Sequence, residues 1–193
     1  MKNTIKYLAG SILLAGSLGA QAAILDFEGG SLGGFTGSNV YTLDTSSYQN
    51  SGYTNGVVSG KYVAFNGYGS NASLSSLSSF LFTGAYFTGA WNDGLSITVN
   101  GFLGGVATMS KTFVVDSLAP TWQSFGWNVD SLSFSSTGGV DHGYGGGGNY
   151  FAMDNFTYNE VLSSVPEPET YAMFAVGLGL LGVFGRRRKS QAV

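Results

Sequence analysis

Through the middle of the chain, apolar and polar side chains alternate with a period of two. In Leu95–Phe102, Leu95, Ile97 and Val99 fall on one face and Ser96, Thr98 and Asn100 on the other, the pattern of a half-buried strand. The run AILDFEGG behaves likewise, setting Ala23, Leu25 and Phe27 against Ile24, Asp26 and Glu28. Further strands are predicted near Asn39–Leu43 and at Lys61–Asn66, Phe80–Trp91, Lys111–Asp116, Ser124–Val129 and Asp130–Ser136, with a closing strand at Tyr150–Val161. Ser70–Phe80 carries Leu74, Leu77 and Phe80 three apart, a helical spacing. Serine is a mediocre helix former, so this stretch is expected as strand and turn. Asn92-Asp93-Gly94 is a reversal signal between apolar runs. Residues 29–56 hold scattered aromatics among turn residues, and Thr137–Asn149 is a glycine-rich loop. Eight or so antiparallel strands without an internal repeat imply one all-β, two-sheet sandwich.

Both ends break the alternation. Lys2 and Lys6 precede the apolar run Tyr7–Gly19, and Ala20-Gln21-Ala22 follows as a small-residue exit. These are the parts of a secretory signal peptide over 1–22, with the mature chain beginning at Ala23. At the other end, Ser163-Ser164-Val165 links the body to Pro166-Glu167-Pro168, and Tyr171–Gly185 follows without a charge. As a helix this run spans about 22 Å, against roughly 30 Å of bilayer hydrocarbon. Thr170, the stem of Arg186 and local thinning supply the remainder. Its glycines weaken a helix in water but are ordinary in a membrane helix. Arg186, Arg187, Arg188 and Lys189 are expected to stay on the cytoplasmic side, the stop-transfer role that the resemblance named below implies for them. The body, residues 23–162, is thereby placed outside the cytoplasm.

Charge sharpens the picture of that body. Two lysines, Lys61 and Lys111, stand against nine carboxylates between residues 23 and 165, a net charge of −7. Such a surface has nothing to neutralise phosphate, which excludes nucleic acid as a partner. Cysteine is absent, so the fold holds by burial without disulfides, while 14 Phe, 11 Tyr and 3 Trp argue against disorder.

The C-terminal arrangement of Pro-Glu-Pro, apolar helix and arginine-rich end resembles the PEP-CTERM sorting signal of Gram-negative bacteria. The resemblance implies export through the Sec translocase and signal peptidase, and transient anchoring in the inner membrane. An exosortase would then process the chain at Pro166, Glu167 and Pro168. The mature body would reside at the cell surface or outer membrane, or in the extracellular matrix, in association with exopolysaccharide or biofilm. The body itself, through ILDFEGG, FTGAWNDGLSITVNGF and FAMDNFTYN, is similar to the jelly-roll, galactose-binding-like domains of carbohydrate-binding modules.

That second resemblance directs attention to two candidate sites. Terminal strands of jelly rolls run close together and often hold a structural Ca²⁺, for which Asp26, Glu28 and Asp154 would be the carboxylate ligands. Carbonyls would complete the six to eight oxygens Ca²⁺ takes. The other reading of these three is solvated acids at strand ends. Trp91, beside Asn92 and Asp93, and Tyr144 in the glycine loop are candidate glycan-stacking residues; alternatively the tryptophans fill the core. No catalytic residue is assigned. The single histidine, His142, follows Asp141 in the glycine loop, and a Ser-His-Asp triad needs a held geometry that a mobile loop does not give. The expected function is a non-enzymatic surface or matrix protein, the alternative a glycan-specific binding module, and a third a secreted hydrolase.

Overall fold

The computed structural model describes residues 22–160 and Val176. Apart from Ala22 and Val176, the expected signal peptide, linker, sorting motif, membrane run and basic tail lie outside the described residues. Among the described residues, no helix is long and apolar enough to cross a membrane.

Eleven strands account for most of the body: β1 (Ala23–Leu25), β2 (Thr36–Ser38), β3 (Val40–Asp44), β4 (Tyr62–Asn66), β5 (Ala72–Gly89), β6 (Asn92–Asp93), β7 (Leu95–Leu103), β8 (Val106–Val115), β9 (Thr121–Thr137), β10 (Val140–Asp141) and β11 (Phe151–Glu160). A one-turn helix, α1 (Gly52–Asn55), interrupts the series between β3 and β4. All pairings are antiparallel.

The long strands β5 and β9 belong to two leaves at once. Their halves Ala72–Ser75 and Ser131–Phe134 pair with each other, flanked by β2 on one side and by β7 and β8 on the other. Their other halves, Phe80–Phe87 and Thr121–Val129, continue into β11, and β11 into β4 and β3. The register shifts between Ser75 and Phe80, where β5 passes from one leaf to the other; such irregularities bend strands and increase their twist. β1 pairs with β11, Ala23 opposite Tyr158, so the first and last described strands are adjacent.

The leaves face each other across one aromatic core. Phe134 of the first leaf lies 5.9 Å from Phe151 of the second, and Phe113 lies 5.0 Å from Phe87. Leu74, Ile97, Val99 and Leu132 meet Phe82, Met153 and Phe156 in the same cluster, all buried. Truncating one of these phenylalanines to alanine costs about 3–5 kcal/mol. The all-β antiparallel sandwich predicted from alternation is the fold observed.

Several predicted boundaries move. Ser70–Phe80 and Phe80–Trp91 form one strand, as do Ser124–Val129 and Asp130–Ser136. The three-residue spacing has a local cause: Leu74 and Phe80 are buried in different leaves, whereas Leu77 is fully exposed at the crossing. β8 begins at Val106, five residues before the expected start, because its first five residues, Val106–Ser110, are exposed on both faces and show no alternation.

Candidate functional site

On the second leaf, the face turned away from the core is also apolar. Along β4, Tyr62 and Ala64 join the main core while Val63 and Phe65 point outward. Ala152 and Tyr150, beside Phe151 on β11, likewise face outward. α1 covers part of this face. Ser51 caps it, accepting from the Thr54 amide and donating to the Tyr48 carbonyl. Tyr53 is buried edge-on against Tyr48, Phe65 and Trp91, at 5.7, 5.6 and 5.5 Å. Burial pushes the Tyr53 phenol above its ordinary value, so it remains a neutral hydroxyl.

What α1 leaves uncovered is a groove of about 540 Å³, within the range of small-ligand sites. Tyr53, Trp91 and Tyr150 form its base, with Leu43 and Phe65, and Tyr41, Tyr48 and Tyr68 form its rim. The rim rings are accessible, at 49% exposure for Tyr41, 42% for Tyr48 and 82% for Tyr68. Tyr68 sits between Gly67 and Gly69 with a left-handed backbone, φ 56°, uncommon for a bulky residue. A Cβ on Gly67 would strike the Tyr41 ring and Asn39 Oδ1, each at 2.4 Å, so only glycine allows the turn to lie against that ring.

The glycine loop makes the remaining wall. Gly146 lies flat on the Trp91 indole, and a Cβ there would come within 2.4 Å of it. Trp91 is half-buried between this backbone and Tyr53. A polar network fixes the loop. Asp93 Oδ2 is 2.5 Å from His142 Nδ1, and Asp93 Oδ1 accepts from the Ser117 amide and hydroxyl at 2.8 and 2.6 Å. The His142 ring first, and then the Ser117 donors, hold the Asp93 carboxyl at about 2. The His142 amide donates to the Trp91 carbonyl, and its ring lies 4.3 Å from that of Tyr144. Asn55 closes the circuit, donating to the Tyr144 hydroxyl and the Ser117 carbonyl. The loop expected to be mobile is therefore braced at five side chains.

These placements bear on each candidate. Trp91 lies in the groove with one face covered; Tyr144 is drawn into the network behind the wall, and the two do not form a shared platform. The accessible rings Tyr41, Tyr48 and Tyr68 were missed from the sequence. A tyrosine between two glycines in a turn, with no strand to bury it, was the available signal for Tyr68.

The three carboxylates expected to hold a metal are engaged by backbone amides. Among the described residues, no group of three carboxylate or imidazole side chains is placed to hold a metal ion. Asp154 is fully buried, and its carboxylate accepts from the amides of Val58, Ser59 and Asn155. Glu28 Oε1 accepts from the amides of Lys61 and Tyr62, and Asp26 Oδ1 from that of Glu28. N–H donors engage both oxygens of Asp154 but only Oε1 of Glu28 and Oδ1 of Asp26, so a cation at Asp154 would compete with the backbone for its lone pairs. Burial pushes the Asp154 carboxyl up, and Asp26 adds a smaller push in the same direction.

Ser117, Asp93 and His142 do meet, but with the carboxylate in the middle. Both partners address Asp93, and Ser117 is fully buried. A nucleophilic triad needs the imidazole between the hydroxyl and the carboxylate.

Residues 164–189 match the family model described as the PEP-CTERM protein-sorting motif. Pro166, Glu167, Pro168 and the four terminal cations Arg186–Lys189 all lie inside the match. The chain carries a PEP-CTERM signal, that of an exported protein anchored at the membrane and then processed by an exosortase. Among solved structures, it is similar to that of TmCBM61 in complex with beta-1,4-galactotriose, at 15% identity and a TM-score of 0.45. The likeness covers 70% of this chain and 94% of that one. No curated protein matches the chain.

Proposed function

We propose that this chain is a non-enzymatic surface or matrix protein whose sandwich binds extracellular polysaccharide through the groove on its second leaf. The observation that carries the reading is the accessible ring set Tyr41, Tyr48 and Tyr68 around an apolar floor. Planar aromatic faces suit the C–H faces of sugar rings, and phenol hydroxyls at the rim can exchange hydrogen bonds with sugar hydroxyls.

A binding role without catalysis is supported by what lines the groove. Its lining residues include no carboxylate and no imidazole, so the pair of carboxylates that most glycosidases use is not among them. The sole histidine is committed to Asp93. Export and exosortase processing would deliver such a module to the cell surface, outer membrane or matrix, where exopolysaccharide is the abundant partner. The biofilm association follows from that location and chemistry together.

A glycan array probed with the exported protein tests the reading. Wild type should bind one or more polysaccharides, and Tyr68→Ala should weaken that binding by roughly fivefold or more, an aromatic contact being worth about 1 kcal/mol. Because Tyr68 is exposed, its melting temperature should stay within a degree or two of wild type. Binding indifferent to Tyr68→Ala would remove the groove from the account.

A further inference from the structure

We infer that the groove selects neutral glycans and rejects those bearing uronate or sulfate groups. This rests on the groove being the binding site, and adds the class of ligand it takes.

No charged side chain lines the groove. Among the described residues there are two lysines, and both are engaged elsewhere. Lys61 pairs with Asp44 at 2.7 Å. Lys111 stands on β8 in the other leaf, donating to the Ser124 carbonyl at 3.0 Å above the Phe125 ring. An anionic sugar would enter the groove with no cation to receive it, and losing water there would go uncompensated. The ring faces oppose it too, since the aromatic quadrupole presents negative charge on the face. Beyond the groove, nine carboxylates against two lysines in the body give a field that repels an approaching polyanion.

A neutral sugar meets none of these penalties. Its C–H faces lie on the rings, and its hydroxyls exchange hydrogen bonds with the phenol hydroxyls of the rim. Binding should therefore depend little on ionic strength, in contrast to ligands held by ion pairs.

The test pairs polysaccharides that share a backbone and differ in charge. Polygalacturonate and its methyl ester form one such pair, and a neutral glucan with its sulfated derivative another; neutral galactan and mannan extend the panel. Expected is binding to one or more neutral members, lost or at least tenfold weaker in the charged counterpart. Its Kd should change less than about twofold between low salt and half-molar NaCl. Tyr68-dependent binding that prefers the charged members, and weakens with salt, overturns the selectivity while leaving the groove reading standing. No binding to any member, or binding that Tyr68→Ala leaves intact, overturns the groove reading and the selectivity with it.

Discussion

Tyr68 holds a backbone conformation that costs a non-glycine residue roughly 1–3 kcal/mol, yet its ring is 82% exposed and returns little by burial. Strain of this kind concentrates at ligand clamps, and here it fixes the most accessible ring of the groove. Asp154 shows the opposite economy. It is fully buried, and three amides from separate positions converge on it, tying the Val58–Ser59 turn to β11. Asp154→Ala would leave those donors without partners and should destabilise the fold by at least about 2 kcal/mol, read as a lower midpoint in urea unfolding. If Asp154 serves as a clamp rather than as a calcium ligand, EDTA should leave the wild-type midpoint unchanged. A midpoint that falls with EDTA and returns with Ca²⁺ would restore the metal.

At the scale of elements, the groove depends on the loop Thr137–Asn149, and the loop on Asp93. Asp93→Ala should speed hydrogen exchange at the His142 amide, which is bonded to the Trp91 carbonyl, and should weaken glycan binding as the Gly146 wall loosens. The pH dependence has a definite sign. The Asp93 carboxyl is held at about 2 in the fold, below its ordinary 3.8. Its support is therefore fully present above about pH 4 and fades as pH falls toward 2. Loop protection that survives at pH 5 and is lost near pH 2 fits; protection unchanged by Asp93→Ala would not. Much of this architecture was legible in the sequence because alternation reports one-sided burial, as in Leu95, Ile97 and Val99. The passage of β5 between leaves was not, since Ser76–Ser79 around exposed Leu77 carry no periodic signal. Nor was the brace. Asp141, the neighbour of His142 in sequence, accepts from the Gly143 amide, while the imidazole pairs with Asp93 across 49 residues.

Taken whole, the molecule combines a cysteine-free aromatic core, an acidic surface and a second, smaller apolar cluster on the outside of one leaf. The rings Tyr41, Tyr48 and Tyr68 at the edge of that outer cluster would bury more area if α1 were longer. They remain open instead, in a protein that carries the sorting signal of an exported protein. The groove was only partly readable from sequence: Trp91, singled out for its place beside Asn92 and Asp93, lines it. Tyr41 and Tyr48 gave no such mark, because only the fold brings β3, the turn after it and the Gly67–Gly69 turn together.

The most direct test is a two-dimensional NMR titration of the exported protein with a polysaccharide that it binds. Ring resonances of Tyr41, Tyr48 and Tyr68, with the Trp91 indole, should shift together and saturate with one Kd, while those of Trp127 in the core stay still. Saturable shifts gathered on another surface, such as the exposed edge strand β8, would contradict the account.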